Sequence, residues 1–579
     1  MPSRLSRKFN DCHLRIIIVG TIFFILWIII VIRLAQLQII EYGKYKEASQ
    51  KLRTIEKEET GERGQIFVEE LNKKISIALS SYHYTLIAEP INIKESVEAA
   101  VKIAEILDIP IDEENENFKN LLIKLSKKNS QYEIVRKDLS QSQVEKIKNL
   151  SLTGLYFEKE IKRFYPEGNC LSHLLGFYGY RGDQKVGRYG IEEFYENILS
   201  GKDGIIKGER ARTGALISTI ESTVKESQDG SDIVLTIDRT IQSKSCEILE
   251  ESVNKFGAES GTIIIVNPKT GEVLSLCNFP GFDPNQYSLV KDFNLFINSA
   301  ISHYYEPGSV FKVITFAAAI DDGKIKPDDK FEDTGSIKIS GHTIKNAAEK
   351  IYGKVTMREI LEKSINTGVI FIARQIGSSG FLSWVKKFGF EEKTRIDLPT
   401  ETVGDLRNLY QKNEIYLATA SFGQGITVTP IQMLMSFAVI ANQGKLMKPY
   451  IVKEIISQKN SYLSKPEEVR QVISPQTSEI IKDLMISAVE NGWGKRAGVK
   501  GYLVAGKTGT AEVARSGGYS SETIHSFIGF APADNPRFVA IVKIDNPTLV
   551  NFSDQTAAPA FGQLADFILK YYQIPPTEE

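Results

Sequence analysis

Three short segments hold residue types that can do chemistry together: Ser309-Val310-Phe311-Lys312, Ser364-Ile365-Asn366 and Lys507-Thr508-Gly509-Thr510. A serine hydroxyl is a weak nucleophile until a base takes its proton. A lysine serves as that base only when burial or a neighbouring cation brings its pKa down from ~10.4. Pro307 and Gly308 permit a tight turn into a helix, which places Ser309 in the first turn and Lys312 three residues on, so that hydroxyl and amine share one face. The sequence that follows, VITFAAAI, is apolar almost all round. The helix is therefore expected to be buried with only its N-terminal end at solvent, where backbone N–H groups favour a developing anion. Lys507 supplies a neighbouring cation.

Taken singly, each motif is weak. The SxxK pattern recurs at Ser222/Lys225, Ser252/Lys255, Ser288/Lys291 and Ser383/Lys386, and SxN recurs at Ser252/Asn254. The Lys-Thr-Gly triplet also occurs at Lys269-Thr270-Gly271, directly after Pro268 and between two apolar runs, where hairpin-turn chemistry explains it. The copy at Lys507 instead leads from a strand into Thr510-Ala511. It lies downstream of the one SxxK that Tyr-Glu-Pro-Gly precedes.

The elements that must position these groups occupy a chain of 579 residues, with 42% hydrophobic and 25% charged residues, the range of ordinary globular protein. At roughly 150 residues per domain this allows about four units, or two large ones with appendages. Lys plus Arg number 71 and Asp plus Glu 72, a net charge of −1, so no basic field recruits nucleic acid. Four cysteines without a CxxC pair and six histidines without an HExxH arrangement argue against a metal site, and no cofactor is expected. Residues 16–32, IIIVGTIFFILWIIIVI, carry no charge and read as an uncleaved membrane span: residues 1–13 form a cytoplasmic tail and 14–36 the anchor. Arg4, Arg7, Lys8 and Arg15 outweigh Asp11 ahead of the span, which keeps the tail in the cytoplasm and the rest outside.

Residues 41–235 mix strand-like runs such as SYHYTLIAEP with amphipathic helical runs such as SVEAAVKIAEIL and NFKNLLIKLSKK, an α+β spacer. Gly and Pro punctuate residues 163–190, predicting loops packed by Tyr and Phe. A second large domain, 236–579, opens with a Thr/Gln-started helix and the paired runs around Pro268–Gly271. It closes with three strands (YLVAGKTGTAEV, HSFIGFAP, RFVAIVKID) and a helix, predicting an antiparallel sheet faced by helices. His173 is expected to be a satisfied structural residue. Cys246 and Cys277 are expected to be buried free thiols, with at most one disulfide among Cys170, Cys246 and Cys277.

The ordered set SxxK, SxN and KTG resembles that of penicillin-binding proteins and serine β-lactamases. Beyond it, Arg63-Gly64-Gln65-Ile66, Arg163-x-Tyr165-Pro166-x-Gly168, His173-x-Leu175-Gly176 and Gly190-Ile191-Glu192 resemble the pedestal of class B penicillin-binding proteins. Tyr305–Lys312, Gly423-Gln424-Gly425 and Phe527-Ile528-Gly529-Phe530-Ala531-Pro532 continue the resemblance, which covers nearly the whole chain. The chain departs from the family at Val68-Glu69-Glu70-Leu71-Asn72, where an Asp-Arg-Asn-Gly turn is usual. Glu-Pro-Gly-Ser and SxN resemble the cell-division (septal) branch more than the elongation branch.

This resemblance implies an α+β, penicillin-binding/β-lactamase-like fold and a serine D,D-transpeptidase of the inner membrane, single-pass with its catalytic domain extracytoplasmic. It would cross-link peptidoglycan stem peptides and be inhibited by β-lactams. Ser309 would attack the carbonyl between two D-alanines with neutral Lys312 as general base. Ser364 would relay a proton to the leaving D-Ala, Asn366 would hold Lys312 and the donor amide, and Lys507 would supply positive potential. Thr508, Gly509 and Thr510 would bind substrate, the two threonine hydroxyls taking its terminal carboxylate. Backbone N–H groups of Ser309 and Thr510 would form the oxyanion hole. The implied partners are a SEDS-family glycosyltransferase and other division proteins. An elongation-type enzyme, a non-catalytic division scaffold and a β-lactamase are the competing readings. The anchor and the long pedestal argue against the β-lactamase.

Overall fold

The computed structural model describes residues 5–59, 61–70, 73–112, 114–210, 216–217, 224–515 and 518–576. Arg4, Leu71, Asn72 and Ser222, named above, lie outside them. The chain divides into two compact units, Met1–Glu62 with Gly201–Asp229, and Arg63–Ser200 with Gly230–Glu579.

In the first unit a helix, Leu5–Ala35, continues through a π-helical turn, Gln36–Ile40. The apolar stretch is Leu14–Ile40, 27 residues with a mean hydropathy of 2.9, none of it buried. At 1.5 Å per residue such a stretch reaches about 40 Å, enough to cross the ~30 Å core of a bilayer. A second helix, Tyr42–Arg53, leads to a small antiparallel sheet in which Thr54–Glu59 pairs with Gly204–Arg210, Thr54 opposite Glu209.

The second unit holds two large sheets. One has seven strands, running in the order Ser461–Leu463, Val452–Ile456, Asp232–Leu235, Ile66–Glu70, Lys73–Ala88 and Glu133–Leu139, with Leu155–Phe164 also on Lys73–Ala88. Asp232–Leu235 runs parallel to Ile66–Glu70 and antiparallel to Val452–Ile456. Strands that the sequence places far apart therefore share one sheet. The runs SYHYTLIAEP, SVEAAVKIAEIL and NFKNLLIKLSKK form the elements expected of them: Lys73–Ala88, Ser96–Ile106 and Glu116–Ser126. The two helices bury Ala100, Ile103, Leu121 and Leu125 against Leu86 and Ala88 in a separate small core.

Residues 163–190 form short turns and a hairpin rather than one regular element. Phe177 packs among Tyr189, Phe282, Tyr287 and Phe296, stacking on Tyr287 at 4.3 Å between ring centroids. His173 is buried, with Nε2 2.9 Å from the Leu295 carbonyl oxygen, and burial takes its pKa down to about 4. The same stretch contributes to an ion cluster centred on the fully buried Glu192. Glu192 takes Nε of Arg63 on one carboxylate oxygen and Nε of Arg163 on the other, each at 2.8 Å. Tyr165 donates to it at 3.2 Å, and Arg63 also reaches Glu196 at 2.7 Å. Burial alone pushes the Glu192 carboxyl up, but Arg163 and Arg63 outweigh it and hold its pKa below the ordinary value. One nitrogen of Arg163, Nη2, has no partner among the described residues.

The cysteines correct the expectation that Cys246 is a free thiol: Cys246 forms a disulfide with Cys170, and Cys277 stays a buried thiol beside them. The pairing joins residues 76 apart in sequence, and no local pattern announces it.

The second sheet carries the site. Helix α1 (Arg239–Phe256) is capped by Asp238, whose carboxylate accepts from Thr240 and Ile241 N–H, so the helix opens on an Asp cap rather than at the Thr/Gln pair. Strands β1 (Ser260–Val266) and β2 (Val273–Phe279) follow, joined by the turn that contains the first Lys-Thr-Gly copy, with Gly271 at φ +84°. After helices α2 (Lys312–Asp321), α3 (Asn366–Ile376), α4 (Pro430–Ala441) and α5 (Pro475–Glu490) come β3 (Ala505–Arg515), β4 (Gly518–Ala531), β5 (Phe538–Asp545) and α6 (Ala557–Tyr571). The order β2-β1-β5-β4-β3 is antiparallel throughout. Ile263 and Ile265 of β1 face α1 and α6, while Ile264 and Val266 face the core that contains α4. Burial on both faces is why TIIIV and FVAIV read as continuous apolar runs.

Candidate active site

Ser309 sits in a single 3-10 turn, Gly308–Phe311, one step ahead of α2 rather than in its first α-helical turn. Gly308, at φ +61°, donates its N–H to the Gly423 carbonyl at 3.0 Å. A Cβ at Gly423 would stand 2.2 Å from the Gly308 oxygen. The Gly423-Gln424-Gly425 loop is thereby packed on the turn that presents Ser309. Glu306 fixes the same turn from the other side, accepting Gly425 N–H and the Tyr519 hydroxyl, each at 3.0 Å. The Ser309 hydroxyl lines the cleft and makes no hydrogen bond among the described residues.

Lys312 opens α2 and is 0% exposed. Its Nζ lies 2.7 Å from the Ser364 carbonyl oxygen, 2.7 Å from Asn366 Oδ1 and 3.0 Å from Ser364 Oγ. The first two partners can only accept. A neutral amine has two N–H bonds, which these acceptors absorb, so its lone pair is left for a hydroxyl. Burial first, and the positive Lys507 second, hold the Lys312 pKa well below the ordinary lysine value. No ion pair among the described residues includes either lysine.

Ser364 links the helix Met357–Glu362 to α3 and adopts φ +55°, a conformation that costs a non-glycine residue about 1 kcal/mol or more. Neighbouring hydrogen bonds hold it there: Ser364 N–H to Leu361 O and Ile365 N–H to Ile360 O. The turn aims Oγ between two amines. Lys507 Nζ, on β3, donates to Ser364 Oγ at 3.3 Å and lies 3.3 Å from Thr508 Oγ1. Burial takes the Lys507 pKa down to about 7. Asn366 donates Nδ2 to the Lys345 carbonyl at 2.9 Å, which turns Oδ1 towards Lys312. Gly509 lets β3 approach the turn that carries Ser309: a Cβ there would meet Ser526 Oγ at 2.5 Å and Pro307 O at 3.1 Å.

These groups meet at one cleft of about 920 Å³. Ser309, Ser364, Asn366, Thr508 and Thr510 line it, while Lys312, Lys507 and Gly509 stand behind that lining. All eight residues singled out from the sequence are thus brought together. Sequence reasoning missed Trp493, Phe552 and Ser553, which also line the cleft. Trp493 carried a signal, an aromatic between glycines in NGWG; Phe552 and Ser553, in NFSDQT, carried none. It missed Asp333 as well, a buried carboxylate that accepts from Asn346 Nδ2 and Thr367 Oγ1 and so pins residues 333–346 to α3. Glu512 and Asp554 line the cleft too, and neither bonds to Ser309, Lys312 or Ser364. Cys170, Cys246 and Cys277 are the cluster of metal-type ligands among the described residues, and the disulfide occupies two of them.

A serine at the cleft with a buried amine three residues on, beside a cationic strand edge, suits acyl transfer from a substrate that ends in a carboxylate. Comparison with known proteins agrees in order and extent. Residues 261–566 match the penicillin-binding protein transpeptidase domain, and 58–235 the penicillin-binding protein dimerisation domain. Stage V sporulation protein D of Bacillus subtilis is 33% identical over 509 residues, 87% of this chain and 77% of that protein. The probable peptidoglycan D,D-transpeptidase PenA of Neisseria gonorrhoeae is 31% identical over 508 residues, 87% of this chain and 84% of that protein. The crystal structure of penicillin-binding protein 2X from Streptococcus thermophilus superposes with a TM-score of 0.77 at 22% identity, covering 90% of this chain and 80% of that one, and so shares the fold. Two domain families in this order, met over most of the chain, place the protein among the class B penicillin-binding proteins, whose catalytic unit is a transpeptidase.

Proposed function

We propose that the protein is a septal peptidoglycan D,D-transpeptidase working through a Ser309 acyl-enzyme. The observation that carries this is Lys312, a fully buried amine with no carboxylate partner, held by Ser364 and Asn366 behind the nucleophile turn. Neutral Lys312 takes the Ser309 proton as Oγ attacks the carbonyl between two D-alanines of a stem peptide. Ser364 Oγ, between Lys312 and Lys507, passes a proton to the leaving D-Ala amine. Thr508 and Thr510 receive the terminal carboxylate near the Lys507 charge, and the backbone N–H groups of Ser309 and Thr510 stabilise the oxyanion. An amine of a neighbouring stem peptide then resolves the ester. Among the described residues no carboxylate bonds to this machinery to activate water, which favours transfer over hydrolysis. β-Lactams would acylate Ser309 in the same way and remain bound.

In this reading Leu14–Ile40 anchors the chain once through the inner membrane, with residues 1–13 cytoplasmic, 41–235 the pedestal and 236–579 the extracytoplasmic transpeptidase domain. Glu306-Pro307-Gly308-Ser309 and Ser364-Ile365-Asn366 favour division over elongation. A SEDS-family glycosyltransferase is the proposed partner, and Gly20-Thr21 in the anchor would permit close helix approach. The test mixes the protein with a small molar excess of a chromogenic β-lactam. A stoichiometric absorbance burst that stops, with the adduct on Ser309, supports the proposal. Steady multi-turnover hydrolysis overturns it.

A further inference from the structure

We infer that Ser553 is a third hydroxyl of the carboxylate-binding end of the cleft, held there by its contacts with Thr510. The inference rests on the transpeptidase reading above. Ser553 opens the 3-10 turn Ser553–Gln555 that precedes α6. It is 2% exposed and lines the same cleft as Thr508 and Thr510. Two contacts tie it to one oxygen: its backbone N–H donates to Thr510 Oγ1 at 3.2 Å, and Thr510 Oγ1 donates to Ser553 Oγ at 3.1 Å.

Counting protons shows that Ser553 has one to offer the substrate. A hydroxyl has one proton and two lone pairs. With the Thr510 proton given to Ser553 Oγ, the Ser553 proton has no acceptor among the described residues and is free for the cleft. Thr508 Oγ1 accepts from Lys507 Nζ at 3.3 Å, so its proton is free as well. A carboxylate entering here meets Thr508 and Ser553 as outward donors, each polarised from behind, one by an ammonium and the other by a hydroxyl that itself accepts a backbone N–H. His525 on β4 holds the loop in place. Its Nδ1 lies 2.9 Å from Thr556 Oγ1, three residues beyond Ser553, and burial lowers its pKa to about 4, so the ring stays neutral across the working range.

The experiment compares acylation of the full-length protein in detergent by benzylpenicillin and by its methyl ester, which keeps the reactive ring and lacks the anion. Ser553→Ala should lower the second-order acylation constant for the acid by roughly ten- to a hundred-fold, the range for a lost hydrogen bond to a charged group, and leave the ester rate unchanged. The loss should appear in the apparent binding constant rather than in the limiting acylation rate. Ser553→Thr, which restores a hydroxyl, should recover the acid rate. Should Ser553→Ala not fold, Ser553→Cys, a weaker donor of similar size, should show the same acid-selective loss in smaller degree. An equal loss on acid and ester would mark Ser553 as structural and overturn the inference, and so would no loss at all. If the wild-type protein is acylated by neither compound, the transpeptidase reading falls and the inference with it.

Discussion

Two clusters of buried charge lie in the second unit, and they are built in opposite ways. At Arg63, Arg163 and Glu192 each charge meets another of opposite sign, and the carboxylate is held ionised below its ordinary pKa. At Lys312 and Lys507 two amines are buried with only neutral acceptors around them, and both are pushed towards the uncharged form. Pairing makes a buried charge permanent and therefore architectural. Leaving it unpaired makes it titratable, which a general base must be. The first cluster ties Arg63-Gly64-Gln65 to Gly190-Ile191-Glu192; the second stands ready to exchange a proton.

The largest effect expected is at the nucleophile. Ser309→Ala should abolish covalent labelling by fluorescent penicillin, while Ser252→Ala and Ser383→Ala retain it; gel fluorescence and peptide mass spectrometry check both. Lys312→Met should separate the two clusters most cleanly. Acylation should fall by roughly 10²–10⁴-fold, the usual contribution of a positioned base. Thermal stability should hold or rise, because an uncompensated buried amine is replaced by an apolar chain of similar length. Stopped-flow acylation and calorimetry on one preparation decide it, and a large drop in melting temperature would contradict the comparison.

Glu192→Ala should do the reverse. Arg163 would lose its carboxylate and Arg63 would keep only Glu196, which should cost about 3–5 kcal/mol of stability, read from denaturant unfolding, while the fraction that remains folded labels at nearly the wild-type rate. The smallest effect is a shift on the pH axis. Lys312 must be neutral to act, so acylation falls on the acid side as it gains a proton. Lys507, one of the two causes of its lowered pKa, is removed in Lys507→Met, so the Lys312 pKa should rise and the acid limb move to higher pH. In the wild type Lys507 loses its charge above about pH 7, and carboxylate-dependent acylation should weaken there; the variant should lack that alkaline limb. Acylation rates measured from pH 5 to 9 check both signs.

The grouping of the candidate site was legible because the chemistry proposed for it restricts residue type: a serine, an amine three residues on, a second hydroxyl and a cationic strand edge leave few alternatives. The strands around it were legible because β1 and β5 are apolar on both faces. What stayed hidden depends on chain returning from a distance. Ser553 carries no motif and matters only because β3 runs beside it. The partnership of Val452–Ile456 with Asp232–Leu235 crosses more of the chain than any local pattern spans. The φ of +55° at Ser364 is imposed by its neighbours, since serine itself has no preference for it.

The Cys170–Cys246 bond closes a covalent ring around residues 171–245, and the whole excursion Gly201–Asp229 lies inside that ring. A protease that cuts within the excursion therefore opens a loop and does not sever the molecule. The nicked protein would run as one species on a non-reducing gel and part into two fragments only when a thiol is added. For this chain, a single intact band is evidence about the disulfide before it is evidence about the peptide backbone.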